Sequence, residues 1–323
     1  MTSRTAQYFV TLLLVVACHG VHAEEHPPRS FPVWIDLDAG ALFPGERANG
    51  LLALETASRV PGLRLVGVSV VYGTLPVEEG ARLLSGSLSR LFPEGPRLVL
   101  GAGGPNDAEG AARASAAMAE ALAEDSFHLL ALGPMTNVAA LMTRHRELQS
   151  RIQSMVISAG QRPLRTLQPN PERDIHFADL NVAMDPDAAR LVLEARPELC
   201  LFPWEAAAPF AFVAGDSAHA VWSAPWRAAT GRDALVPWDA LAVLWLAQPA
   251  WFDAADVSVA LQRAPHDGAA TAGPVMKDGR REYMTVDFKS ESGRYARYAT
   301  RTKQEAAAWL AVLLRDSGWE HDD

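Results

Sequence analysis

Asp36 and Asp38 flank Leu37 at the end of an apolar run, Pro32-Val33-Trp34-Ile35, and Gly40 follows them. Side chains alternate along an extended chain, so the two carboxylates project to one side. Carboxylates held close repel unless a cation or a shared proton joins them, which suits such a pair to metal or acid/base chemistry. A buried strand that carries them to its C-terminal end would place them where open α/β sheets bind ligands. Further polar groups stand at comparable positions downstream. Thr136 and Asn137 close the turn Gly133-Pro134-Met135-Thr136-Asn137, Asp179 and Asn181 flank Leu180, and Asp239 follows Trp238 at the head of an apolar stretch. Structural roles compete for several of these. Asn137 reads as a cap at a helix start, Asp185 as the N-cap of a helix with Pro186 in its first position, and Asp239 as either a cap or a site carboxylate. His176 reads as a solvated loop residue.

Positioning these groups falls to alternating strands and helices. After the Asp36/Asp38 strand, Leu63–Val71 is rich in branched residues and reads as a second buried strand. Leu98–Leu100, Phe127–Leu132, Ser154–Ser158 and Glu198–Pro203 supply four more. Between them lie helices at Leu51–Ser58, Val77–Phe92 and Ala108–Ala123, one starting at Val138, and one running from Asp185 to Ala195. This alternation predicts an α/β fold, a mostly parallel central sheet with helices on both faces. The segment Ala159–Ala178 is long and charged and contains three prolines, so it reads as a surface excursion or a site lid. Gly101-Ala102-Gly103-Gly104 lacks the spacing of a phosphate-binding turn and reads as a plain loop. From Pro209 the pattern is helical and rich in tryptophan (Trp222, Trp226), with an apolar helix over Asp239–Leu246. Extra C-terminal strands follow at Val257–Leu261, Tyr283–Phe288 and Tyr295–Ala299, then a closing helix at Thr302–Leu314. No repeat or low-complexity linker divides residues 31–323, which read as a single domain.

Composition narrows the function classes. A net charge of −9 over 323 residues, with scattered Lys and Arg, argues against a nucleic-acid binder. Only two cysteines are present, Cys18 and Cys200, so neither a disulfide framework nor a thiolate metal site is available. Residues 1–23 carry Arg4, an apolar run from Tyr8 to Ala17 and the compact Val21-His22-Ala23, the pattern of a signal peptide. The run is too short to span a membrane. The expectation is export, to a periplasmic or secreted location, with Glu24–Ser30 as a short tether. Val15-Val16-Ala17-Cys18 also resembles a lipobox, which leaves a lipoprotein anchored at Cys18 as the alternative.

Five segments, in order, resemble the inosine-uridine-preferring nucleoside hydrolase family: Asp36-Leu37-Asp38-Ala39-Gly40, Val66–Thr74, Gly133–Asn137, Phe177–Ala189 and Pro237–Val243. The resemblance implies a nucleoside hydrolase-like fold and hydrolysis of the N-glycosidic bond of a ribonucleoside or related glycoside, through a cation-held water and a carboxylate base. It implies Ca²⁺ as cofactor, a small-molecule nucleoside as partner, no membrane span, and a possible homo-oligomer. By the same resemblance Asp38 is metal ligand and general base, Thr136 (through its carbonyl) and Asp239 are metal ligands, and Asp36 supports the cluster. Asn49, Asp179, Asn181 and Trp238 would meet the substrate. The departures from the family pattern fall in the same places. An insertion, Ala41–Arg47, follows Gly40, and the family's Asp-Asp pair becomes Asn49-Gly50. Glycine offers no side-chain oxygen where the family has a bidentate Ca²⁺ ligand. Asp179 is one methylene shorter than the family's Glu. Trp238 replaces a histidine and can stack on a base but cannot protonate it. These departures leave a second function open, a non-catalytic nucleoside- or sugar-binding protein that has lost the Ca²⁺ site.

Overall fold

The computed structural model describes residues 30–38, 48–73, 75–163, 179–210, 212–213, 234–265, 280–290 and 293–316. The leader with Cys18, the insertion Ala41–Arg47, Thr74, His176 and the segment carrying Trp222 and Trp226 lie outside them.

Strand β1 (Phe31–Asp38) is continuously apolar until its last turn, and Val33, Trp34, Ile35 and Leu37 are all fully buried. Such a strand is stable only with neighbours on both edges and layers on both faces. It receives β2 (Leu63–Val71) on one side and β4 (Phe127–Ala131) on the other, both parallel. Around these lie β3 (Arg97–Leu100), β5 (Ile152–Ile157) and β6 (Leu199–Leu201), continuing the parallel array. The C-terminal strands β9 (Phe252–Pro265), β10 (Arg280–Asp287) and β11 (Arg294–Thr302) belong to the same sheet. Its order is β10-β9-β11-β6-β5-β4-β1-β2-β3, with β11 parallel to β6 and β9 antiparallel to both its neighbours. A short antiparallel pair, β7 (Phe212–Val213) with β8 (Ala234–Leu235), stands apart.

Helices cover both faces, as the alternation predicted. One layer packs α1 (Ala48–Arg59), α2 (Val77–Leu91), α8 (Trp238–Ala247) and α9 (Gln304–Asp316) against Val33, Ile35 and Leu37. The other packs α3 (Ala108–Glu124), α4 (Thr136–Arg144) and α6 (Pro186–Leu193) around Trp34. Two single turns, α5 (Leu180–Ala183) and α7 (Trp204–Ala207), were not visible in the sequence pattern. Asp185 caps α6, accepting from the Ala188 amide with Pro186 in the first position, as its type and spacing suggest. Among the described residues no helix is long and apolar enough to cross a membrane. What matters for a site is that Asp36 and Asp38, Tyr72, Gly133 to Asn137 and Ser158 all fall at the C-terminal ends of adjacent parallel strands.

Candidate active site

The alternation of β1 puts Trp34, Asp36 and Asp38 on one side, but at different depths. Asp36 is fully buried. Its Oδ1 accepts from the Ser69 hydroxyl and from Asn137 Nδ2 (2.9 Å), and Ser69 in turn accepts from the Trp34 indole N–H (3.0 Å). Ser69 faces Asp36 because the β1/β2 register pairs the two residues directly. The second oxygen, Oδ2, has no hydrogen-bond partner. Burial pushes the Asp36 carboxyl up to about 7, the two donors on Oδ1 drawing it only part of the way back.

Asp38 ends the strand and is half-buried at the rim. Its carboxylate lies directly over Gly73, where a Cβ would come within 1.9 Å of Oδ2. Only glycine permits that approach, so the chain just beyond β2 has no side chain where β1 ends in an acid. Gly101 plays a similar part below it: a Cβ there would lie 2.2 Å from Asn137 Nδ2 and 2.4 Å from the Val70 carbonyl. Asn137 corrects its expected role. It is fully buried inside α4, accepts from the Ala102 amide (2.9 Å) and donates to Asp36, so it is a strut beneath the carboxylates rather than a helix cap.

The remaining expected site residues come from three further elements. Thr136 begins α4; its hydroxyl donates to Asp185 Oδ2 (2.6 Å) and lies 3.2 Å from the Tyr72 hydroxyl, locking the turn onto α6. Asp239, in the first turn of α8, is buried and is not the cap, since the helix opens from Pro237. Its Oδ1 has no partner, and burial raises its carboxyl to about 7 against a lesser, opposing contribution from the Ser158 side chain. Asp179 caps α5, accepting from the Gly160 (2.9 Å) and Val182 (3.4 Å) amides, and burial holds its carboxyl at about 6. Asn181 donates to the Ser158 carbonyl (2.8 Å), which leaves its own side-chain oxygen available as an acceptor. The turn Ser158-Ala159-Gly160 after β5 thus holds both residues. Gln161 then fixes that turn to β10 through backbone bonds with Met284 and Val286.

Asn49 departs most from expectation. The residue is buried, and its amide, oriented to satisfy its neighbours, donates to the Val236 carbonyl and accepts from the Trp238 indole N–H, both at 3.2 Å. One N–H and one lone pair of the group are therefore engaged by protein. Sequence reasoning missed Ser69, Ser158 and Tyr72. A signal existed for the first, since an indole N–H in the middle of a buried strand has to find an acceptor nearby.

Whether these residues fit a calcium shell follows from the same geometry. Gly50 contributes no side-chain oxygen and the Asn49 amide is committed elsewhere. Among the described residues no three His, Cys, Asp or Glu side chains converge as metal ligands would. Ca²⁺ takes six to eight oxygens, so the donors among the described residues do not by themselves fit the shell the resemblance implies.

A doubly wound, mostly parallel sheet with carboxylates and carboxamides gathered at its C-terminal edge defines an α/β protein built around a ligand site. Residues 33–308 match the inosine-uridine preferring nucleoside hydrolase family, and the chain belongs to it. Among curated relatives, the non-specific ribonucleoside hydrolase RihC of Klebsiella pneumoniae subsp. pneumoniae is 29% identical over 168 residues, 48% of this chain and 52% of that protein. The chain thus spans about half the length of the curated relatives it matches. A plant nucleoside hydrolase, PpNRh1, has the same fold with a TM-score of 0.70 at 16% identity, covering 88% of this chain and 99% of the other. An inosine-guanosine nucleoside hydrolase aligns over 88% and 98% of the two chains, with a TM-score of 0.65 at 18% identity.

Proposed function

We propose that the protein hydrolyses the N-glycosidic bond of a ribonucleoside or related glycoside, with Asp38 as the general base. The observation that carries this reading is the placement of Asp38: a half-buried carboxylate at the rim, seated over Gly73, above a fully buried acid. The relatives' own names, a non-specific ribonucleoside hydrolase and an inosine-guanosine nucleoside hydrolase, support the same bond type. Cleavage of such a bond passes through an oxocarbenium-like sugar, which needs an activated water and negative charge nearby. Asp38 takes the proton from the water as its oxygen adds to the anomeric carbon, while the bond to the base breaks with its electron pair. Asn181 offers its free side-chain oxygen and Asp179 its remaining lone pairs to sugar hydroxyls. Trp238 presents a ring to the base.

No step is routed through calcium, because the donors among the described residues do not by themselves fit it. In this reading the Asp38 carboxylate itself orients the attacking water. A second reading rests on the same Gly50 and Asn49 positions: the pocket binds a nucleoside or sugar without cleaving it. The deciding experiment incubates protein lacking residues 1–23 with inosine and uridine and follows release of base and reducing sugar. Turnover that falls by about 10²-fold or more in Asp38→Asn supports hydrolysis, whereas saturable binding with no base released supports the binder. Residues 1–23 are proposed to direct export, with Ala23 the last residue removed. N-terminal sequencing of the exported protein tests this against retention of a lipidated Cys18.

A further inference from the structure

The turn after β5, Ser158 to Gly160, is held from two sides. On one side Gln161 exchanges backbone bonds with Met284 and Val286 of β10. On the other, Glu205 of the single turn α7 joins two more segments to it through one carboxylate oxygen. Glu205 Oε1 accepts from the Tyr298 hydroxyl of β11 and pairs with Arg162 Nε at 3.4 Å. Arg162 in turn lies over the Phe288 ring, 5.2 Å from its centroid, and Phe288 meets Tyr298 edge to face at 5.8 Å. Tyr298 is fully buried, so its hydroxyl needs an acceptor inside the protein. Burial, and then the Glu205 carboxylate, push its phenol well above the usual range, so it stays a donor. The same ring backs onto the turn: a Cβ on Gly160 would stand 3.5 Å from Tyr298 Cε2 and 3.3 Å from Leu201 Cδ1. Gly160 has a φ of 97°, which favours glycine, and donates its amide to Asp179 at 2.9 Å.

We infer that Glu205 is a positioning residue for sugar binding: by holding Tyr298 and Arg162 it fixes the turn that aims Asp179 at the sugar hydroxyls. One carboxylate suits this place because it accepts from a phenol and a guanidinium together, and the guanidinium balances its charge. The chain then runs from Glu205 through the Tyr298 ring to Gly160, and from the Gly160 amide to Asp179. A polar contact gains from such support because the cost of ordering the turn is met before the ligand arrives. The inference rests on the nucleoside reading of the site. It assigns Glu205 to the sugar half of the ligand and gives it no part in holding the base.

The test is a double-mutant cycle on the full chain: wild type, Glu205→Ala, Asp179→Ala and the double variant, titrated calorimetrically with ribose and, separately, with hypoxanthine. Glu205→Ala is expected to weaken ribose binding about tenfold, the scale of one hydrogen bond's contribution, and to leave hypoxanthine binding within about twofold. On the Asp179→Ala background the same change should add little for ribose, because the group it aims is gone. A purely structural Glu205 would lower the number of sites per chain and leave both affinities unchanged, which overturns the inference. Equal weakening of both probes overturns it too, as do multiplicative effects of the two substitutions. A wild type that binds neither probe refutes the nucleoside reading and the inference together; wild-type binding without a ribose-selective loss refutes the inference alone. Should Glu205→Ala fail to fold, Tyr298→Phe, which removes the hydroxyl and keeps the ring beside Gly160, takes its place in the cycle.

Discussion

Replacing Asp36 by asparagine should stabilise the protein, and increasingly so as pH rises. The carboxyl is fully buried, carries two donors on Oδ1 and none on Oδ2, and is raised from 3.8 to about 7 chiefly by desolvation. A group whose folded pKa lies above its unfolded value contributes stability that is complete below pH 3.8 and lost as pH rises through 7. At about 1.4 kcal/mol per pH unit that loss is roughly 4 kcal/mol, a large part of an ordinary domain's total. Asparagine keeps the oxygen that receives Ser69 and Asn137, places an amide where Oδ2 stood and cannot ionise. Urea unfolding of wild type and Asp36→Asn between pH 4 and pH 8 therefore separates the terms. Near pH 4 the two should differ by about 1 kcal/mol or less, the scale of one exchanged hydrogen bond. By pH 8 the variant should be more stable by about 4 kcal/mol. A difference that stays flat across this range would falsify the reasoning, since it would mean that a cation or a donor outside the described residues meets Oδ2 in the folded protein.

Other consequences are sharper in kind than in size. Thr136→Val removes the hydroxyl that Asp185 receives at 2.6 Å and should cost about 1–3 kcal/mol of stability in the same denaturation assay; a smaller loss would mean that water replaces the contact. Gly73→Ala forces a methyl against the Asp38 carboxylate, so the rate of base release should fall about 100-fold through misplacement of the base, with KM and melting temperature moving far less. Unchanged turnover in that variant would remove Asp38 from the chemistry. Calorimetric titration of the leaderless protein with Ca²⁺ should show no site tighter than about 1 mM, the weak end of protein calcium sites. A Kd of about 10 μM or lower would instead show that groups outside the described residues complete a shell.

How much of this could be read from the chain depends on the distance over which each feature is determined. β1 was legible because its buried run is local, and Asp185 because a cap and its helix adjoin. The C-terminal strands were legible as strands but not as part of the main sheet, since β11 beside β6 is a pairing across about a hundred residues that no local pattern encodes. Asn137 was misread for the same reason: its partners, Ala102 and Asp36, lie 35 and 101 positions away, whereas a capping role asks only for its neighbours. Asp36 and Asp38 were legible as a pair, yet not as unequal members. Their depths differ because Ser69 and Asn137 close over the first, whereas the second stands at the end of the strand, seated over Gly73. Asn49 carries the point furthest. Its place in the first turn of α1 is set locally, but which atoms its amide meets depends on Trp238, 189 residues later in the chain. A carboxylate at position 49 would set an oxygen against the Val236 carbonyl that receives the Asn49 amide.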